Sequence, residues 1–149
     1  MTDLRTVFND LVRLEIEVWN AVDARLKSDL DLPLTHYEPM SVIDRVPGCR
    51  VYDIASELII TTGGASKLVD RIEASGHCRR LPNPADRRSS LLELTPEGER
   101  LLAKARVAVD KELRIRLGSI IPERTLRQFA GTLSRLRAAS PRIADEATA

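Results

Sequence analysis

Residues 53–102 decide the fold, and they read DIASELIITTGGASKLVDRIEASGHCRRLPNPADRRSSLLELTPEGERLL. Apolar residues at helical spacing predict a short helix over 53–59 and a second helix that starts at Thr61 or Thr62 and ends at Gly76. Only a tight turn separates the two helices. These proportions are typical of a helix-turn-helix.

The sequence changes in character after Gly76. Residues 77–81 and 89–94 predict two short strands, and the loop between them contains Pro82 and Pro84. A β-hairpin that directly follows a helix-turn-helix is the wing of a winged helix. We therefore expect a mainly α (α+β) protein built on a winged helix-turn-helix.

Long amphipathic helices are predicted on both sides of this centre. In front of it, apolar residues recur at helical spacing from Leu4 to Leu30. Thr35 and Glu38 then have the spacing of a capping box, which predicts a second helix from that point to about Val46.

Behind the centre, residues 95–97 (Thr-Pro-Glu) predict a helix start. They combine a capping hydroxyl, a proline at the first helical position and an acidic side chain near the positive end of the helix dipole. The helical pattern continues for about 25 residues, until residues 121–122 (Ile-Pro) break it. A last helix is expected after that break, with apolar residues three or four apart at Leu126, Phe129, Leu133 and Leu136. Residues 141–149 are expected to form a flexible tail.

The flanking helices predict a dimer. A winged helix of about 60 residues cannot bury the apolar faces of three long helices that extend past it. Such faces commonly pair with a second copy of the chain, most often around a two-fold axis. We expect residues 1–32 and 96–140 to form helical dimerisation arms around a DNA-binding winged helix at 33–95. The alternative is a monomeric helical bundle with an attached hairpin.

Length and composition exclude several classes of protein. The chain has 149 residues, of which 43% are hydrophobic and 30% are charged, as in ordinary globular domains. It has no apolar run long enough to cross a bilayer, and residues 1–10 lack the apolar stretch of a signal peptide. The two cysteines, Cys49 and Cys78, are too few for a disulfide framework. We expect a cytoplasmic protein with no membrane contact.

Charge is distributed unevenly along the chain. The overall net charge is +1, but residues 1–32 hold four basic and seven acidic side chains. Residues 61–92 hold six basic against three acidic, and residues 96–140 hold ten against five. This pattern fits a protein that meets a polyanion through one surface. The alternative is that these charges only solvate helix faces.

Three motifs in the central stretch occur in a fixed register: LVDRIEASG at 68–76, DRR at 86–88 and LTPEG at 94–98. Together they make the stretch resemble the winged helix of MarR-type (multiple antibiotic resistance regulator) transcription factors. The resemblance implies a homodimeric, sequence-specific transcriptional regulator that binds a pseudo-palindromic operator in double-stranded DNA. It also implies a repressor that a small ligand or oxidation releases.

The second helix of the helix-turn-helix would then lie in the major groove, with its first residues facing the DNA. Hydroxyl groups there can bind phosphates or bases, and glycine allows the backbone to approach closely. The predicted DNA contacts on this helix are Thr61, Thr62, Gly63, Ser66 and Lys67. The alternatives are helix capping, an eased turn and plain solvent exposure.

The wing is expected to reach the minor groove through Arg87 and Arg88, where a narrow groove attracts a guanidinium group. Asp86 is expected to shape the wing by pairing with an arginine. The alternative for these residues is a purely structural salt bridge. Arg79 and Arg80, at the base of the wing, are equally compatible with a phosphate contact and with solvated strand positions.

The resemblance further implies a ligand cleft that takes a small aromatic or phenolic anion. The candidates to line it are Trp19, His36 and Tyr37, although aromatic residues at helical spacing are more often core residues. Peroxide-sensing relatives place a reactive cysteine in the first helix, and residues 1–30 contain none. A positive neighbourhood could lower the pKa of Cys78, but we expect an inert thiol.

No motif predicts a cofactor, a metal site or an enzyme. The two histidines and two cysteines have no metal-binding spacing, and neither a glycine-rich phosphate loop nor a G-x-S-x-G sequence is present. The competing hypothesis is a dimeric protein-interaction module that has lost DNA binding. The presence of Lys67, Arg87 and Arg88 argues against that alternative.

Overall fold

The computed structural model describes residues 1–140, so the tail expected at 141–149 lies outside the described residues. The fold is mainly helical with one small sheet, which confirms the predicted class. In chain order the elements are α1 (Leu4–Leu30), α2 (Leu34–Arg45), α3 (Val51–Leu58), α4 (Thr62–Ala74), β1 (Cys78–Pro82), β2 (Ser90–Leu94), α5 (Pro96–Leu113), a π-helical segment (Arg114–Gly118) and α6 (Glu123–Ala139).

The chain divides into two compact units. The first is Met1–Glu112, and the second begins at Leu113. The core of the first unit takes one large, fully buried side chain from each of its five helices: Leu26, Met40, Ile54, Ile72 and Leu102. The division into dimerisation arms at 1–32 and 96–140 and a DNA-binding domain at 33–95 stays a prediction.

The start of α2 differs from the prediction. The helix begins at Leu34, so Thr35 already lies inside it and caps nothing. The acceptor comes instead from α1, where Asp23 Oδ1 accepts the backbone N–H of Leu34 at 2.9 Å. Lys27 Nζ also lies 2.7 Å from Asp23 Oδ2. These two contacts lower the pKa of the Asp23 carboxyl group, the lysine contact having the larger effect.

The helix-turn-helix forms where it was predicted. Helix α3 starts at Val51, two residues earlier than predicted. Asp53 lies in its first turn, where the Asp53 Oδ2 accepts the backbone N–H of Arg50 at 2.8 Å. The helix ends at Ile59, which adopts the left-handed conformation with φ 56°. Helix α4 then begins with Thr61 as its cap.

The two strands pair antiparallel, with Cys78 opposite Leu94 and Pro82 opposite Ser90. They start one residue later than predicted. The outer edge of the second strand is also bonded, because the backbone N–H of Leu92 donates to the Cys49 carbonyl at 2.7 Å. The hairpin is therefore joined at its base to the loop between α2 and α3.

Helix α5 starts at the predicted Thr-Pro-Glu sequence. Thr95 Oγ1 accepts the backbone N–H of Gly98 at 3.1 Å and donates to the Gly76 carbonyl at 2.6 Å. A Cβ atom at Gly98 would lie 1.9 Å from the His77 carbonyl oxygen, so only glycine fits there. One threonine thus joins the start of α5 to the end of the helix-turn-helix.

The end of α5 was not predicted. Instead of continuing as an α-helix, the chain forms the π-helical segment after Leu113. Just before it, Glu112 is only 7% exposed. Its Oε2 lies 2.6 Å from Arg25 Nε of α1, which compensates the buried charge.

Within residues 1–140, each unit contains a helix with exposed apolar side chains. In α1 only Val22 and Leu26 are buried, while the N-terminal half exposes Leu4, Phe8 and Leu11. Helix α6 of the second unit has no buried residue at all. Among residues 1–140, no helix is both long and apolar enough to cross a membrane.

Candidate nucleic-acid interface

The start of α4 offers polar groups at an exposed helix N-terminus. Thr61 Oγ1 accepts the backbone N–H of Gly64 at 3.0 Å, so this threonine does act as a cap. Within residues 1–140 the backbone N–H groups of Thr62 and Gly63 have no acceptor, as expected in a first helical turn. Open N–H groups at a helix N-terminus favour an anion such as a phosphate.

The two glycines of this turn differ in what the fold demands. A Cβ atom at Gly64 would lie 3.0 Å from Thr61 Oγ1, so the cap restricts that position. A Cβ atom at Gly63 would meet nothing within 4 Å. The fold therefore does not require glycine at Gly63, and close approach of another molecule is a physical reason for its presence.

The outward side of α4 carries the remaining predicted helix contacts. Ala65, Val69 and Ile72 form the buried face of the helix. Ser66 is half-buried, and Lys67 is exposed. Within the described part of the chain, the Lys67 ammonium group has no carboxylate partner, which leaves it available to an external anion.

The two arginines at the base of the wing are both engaged. Arg79 forms a cross-strand ion pair with Glu93. Arg80 forms ion pairs with Asp70 and Glu73 of α4. Both side chains are therefore neutralised by carboxylates of the chain itself.

The turn of the wing is ordered by short polar side chains rather than by a salt bridge. Asp86 Oδ1 accepts the backbone N–H of Arg88 at 2.9 Å. The expected pairing of Asp86 with an arginine side chain is not seen in residues 1–140, where the carboxylate instead binds the main chain of Arg88, and its wing-shaping role stays a prediction. Asn83, which sequence reasoning missed, donates from Nδ2 to Ser89 Oγ at 3.2 Å and accepts the N–H of Ala85 at 3.1 Å. Its position directly before a proline is a usable turn signal.

This bonding leaves the side chains of Arg87 and Arg88 exposed at the turn. Neither guanidinium group has a carboxylate partner in residues 1–140. Lys67 on α4 and these two arginines thus give the helix-turn-helix and its wing uncompensated positive charge.

The three candidate ligand residues lie in the first two helices. Trp19 is exposed on α1, and His36 and Tyr37 are half-buried on α2. Burial lowers the pKa of His36, and the charges of Arg71 and His77 lower it further. A groove of about 490 Å³ lies beside the hairpin, but none of the three candidates lines it.

Both cysteines are buried, and neither has the pKa of a reactive thiol. Burial, with smaller contributions from nearby carboxylates, raises the pKa of Cys49 and that of Cys78 to about 11. At Cys78 desolvation outweighs the attraction of Arg80, so the pKa is raised and not lowered. In the described residues, no three metal-binding side chains come together.

The fold and this surface define a winged helix-turn-helix protein, and comparison with known proteins gives the family. A family model described as "MarR family" matches residues 30–89. The multiple antibiotic resistance protein MarR of Salmonella typhimurium is 35% identical over 72 residues, a match that covers 48% of this chain and about half (49%) of that relative. Transcriptional regulator HosA of Escherichia coli is 30% identical over 109 residues, which covers 72% of this chain and 74% of HosA.

A solved structure agrees with these relatives. The transcriptional repressor CouR, bound to a 23-mer DNA duplex, has a TM-score of 0.78 and 25% identity. The match covers 86% of this chain and 89% of the CouR chain. The chain belongs to the MarR family of transcriptional regulators.

Proposed function

We propose that the protein is a dimeric, sequence-specific transcriptional regulator that binds a pseudo-palindromic operator in double-stranded DNA. The observation that carries this proposal is the unpaired positive charge of Lys67, Arg87 and Arg88 on the two elements that meet DNA in winged helices. Within residues 33–95, the neighbouring Arg79 and Arg80 are neutralised, and the lysine and arginine side chains without a carboxylate partner lie on α4 and at the wing turn. HosA is named a transcriptional regulator, and CouR is a repressor bound to DNA, which supports the same interpretation.

In this proposal α4 lies in the major groove. The open N–H groups of Thr62 and Gly63 meet a phosphate, while Thr61 orders the turn as its cap and offers a hydroxyl proton. Ser66 and Lys67, one turn further along, face base edges or phosphates. Arg87 and Arg88 enter or flank the minor groove, where they need no base code.

The dimer follows from the uncovered apolar faces. Leu4, Phe8 and Leu11 in the first unit, and the unburied Leu133 and Leu136 in the second, are expected to pack against a second copy of the chain. A two-fold dimer presents two copies of α4, and the operator half-sites would then lie about one helical turn apart.

We further propose that the protein represses and that a small aromatic or phenolic anion releases it. Trp19, His36 and Tyr37 are the candidate contacts. The positive surroundings of His36, to which Arg71 and His77 contribute, favour an anion there. Catalysis, a cofactor and a metal have no part in the proposal, and a chromosomal target implies a cytoplasmic location.

A gel shift with a DNA fragment containing the promoter of the protein's own gene tests the proposal. The wild-type protein is expected to shift this fragment at concentrations that leave an unrelated fragment of equal length free. A Lys67→Ala/Arg88→Ala variant of unchanged thermal stability is expected to lose that selectivity. If the dimer forms but shifts both fragments equally or not at all, the competing hypothesis of an interaction module without specific DNA binding is favoured.

A further inference from the structure

Arg80 connects the wing to α4, the recognition helix of the proposed function, at three points. Its guanidinium Nη2 lies 2.7 Å from Asp70 Oδ1, and its Nη1 lies 3.0 Å from Glu73 Oε1. Its backbone N–H donates to Glu73 Oε2 at 3.1 Å. One residue of β1 thus spans two successive turns of α4.

The bond from the Arg80 backbone N–H to Glu73 holds the main chain of β1, and therefore the hairpin itself, and not only the Arg80 side chain. Arg80 stands opposite Leu92 in the sheet, and the N–H of Leu92 points away from β1 to the Cys49 carbonyl. The N–H of Arg80 likewise points out of the sheet, to Glu73. The hairpin is therefore held along both outer edges, on one side by α4 and on the other by the loop before α3.

The helix positions that Arg80 binds lie next to the proposed DNA contacts. Asp70 follows Ser66 by four residues and Lys67 by three, so it shares their side of the helix. It is 62% exposed, and an unpaired carboxylate there would repel the phosphate backbone. Arg80 holds this carboxylate in an ion pair while it holds the strand.

Stability alone is a poor reason for the arrangement. The Arg80 side chain is 25% exposed, and Asp70 and Glu73 are more exposed still, so these pairs contribute little to the free energy of unfolding. A planar guanidinium group that contacts two carboxylates does, however, fix the orientation of the strand relative to the helix. What the contacts determine is the position of the wing relative to α4.

We propose that Arg80 is a positioning residue: it sets the offset between the recognition helix and the wing, so that Arg88 reaches the DNA while Lys67 occupies the major groove. The residue itself touches no DNA. This inference rests on the proposed function, because it concerns how two DNA contacts are held in register.

A coupling experiment tests the role. Affinity for the promoter fragment of the protein's own gene is measured for wild type, Arg88→Ala, Arg80→Gln and the double variant. In the wild-type background Arg88→Ala is expected to weaken binding by about tenfold. In the Arg80→Gln background the same change is expected to cost less than about threefold, because the wing no longer reaches its place.

Arg79→Gln is the matched control. Arg79 is the adjacent residue of the same strand, and its substitution removes the same charge. Its partner Glu93 lies within the hairpin, so the substitution breaks no contact with α4. Arg88→Ala should keep its full effect in the Arg79→Gln background. An Arg88→Ala effect that is as large in the Arg80→Gln background as in the wild-type background would overturn the positioning role.

Hydrogen exchange of the free proteins gives a readout that does not depend on DNA. Amides of residues 78–94 are expected to exchange faster in Arg80→Gln than in Arg79→Gln, because only the first variant releases the hairpin from α4. Equal exchange in the two variants would contradict the proposal. If wild type binds no fragment specifically while the exchange difference is present, the function has failed and the structural role of Arg80 has not.

Discussion

At Gly63 a substitution can affect DNA binding without a steric clash inside the protein. A methyl group there has open space within the chain, and glycine lowers helix stability relative to alanine by up to about 1 kcal/mol. We expect Gly63→Ala to raise the free energy of unfolding by up to about 1 kcal/mol and to weaken operator binding, because the methyl group meets the DNA backbone. Chemical denaturation and binding isotherms measure the two effects. Unchanged affinity would show that the backbone at Gly63 stays away from DNA.

Ile59 carries backbone strain at the turn between α3 and α4. Its φ of 56° is a left-handed conformation that a β-branched residue adopts at a cost of about 1–2 kcal/mol. The side chain is 75% exposed, so little burial is lost on its removal. Ile59→Gly is expected to stabilise the protein by about 1 kcal/mol in chemical denaturation, whereas Ile60→Gly, without a positive φ, should destabilise it. A loss of stability in Ile59→Gly would contradict the strain.

At the scale of the elements, the helix starts that depend on nearby residues could be predicted from the sequence. Thr95 and Thr61 cap the helices that directly follow them, and both starts are confirmed. The predicted limits of the two strands and the predicted end of α1 also lie within one residue of the observed limits. The contacts of the wing with α4 could not be predicted, because ion pairs such as Arg80–Asp70 join residues that are distant in sequence.

The predicted start of α2 was wrong because it also depends on a contact with a distant residue. Its acceptor is Asp23, which lies on another helix and has no local signal at Thr35. The π-helical segment after Leu113 has no local signal in the sequence either. Local propensity determines where helices begin in isolation, and tertiary contacts shift those limits.

The cap of α2 gives a test at this scale. Asp23→Ala is expected to lower the free energy of unfolding by about 1 kcal/mol at pH 7, and Thr35→Ala by much less. The pKa of Asp23 is lower in the folded protein, so its contribution is present above the unfolded pKa and is lost as pH falls through the folded pKa. The difference between wild type and Asp23→Ala should therefore shrink in acid. A destabilisation that persists unchanged at low pH would contradict this account.

At the scale of the whole molecule, the uncovered apolar faces predict an obligate dimer. Leu133→Lys/Leu136→Lys places two charges on the unburied apolar side of α6 and is expected to weaken dimerisation and, with it, operator binding. Sedimentation equilibrium at micromolar concentration measures the mass. A wild-type mass near the 16.6 kDa of one chain would contradict the dimer.

The central claim is that unpaired cations on α4 and the wing bind DNA together. Its most direct test is the salt dependence of operator affinity for wild type and Arg88→Ala, with Arg106→Gln as a control because Arg106 is already paired with Asp44 at 2.7 Å. The account predicts that Arg88→Ala weakens binding, with the largest loss of affinity on A·T-rich flanks. The plot of log affinity against log salt should become less steep by up to about 2, one for each wing of the dimer. The control should keep the wild-type slope. If Arg88→Ala keeps the affinity, the salt slope and the flank preference of the wild-type protein, the wing does not touch DNA.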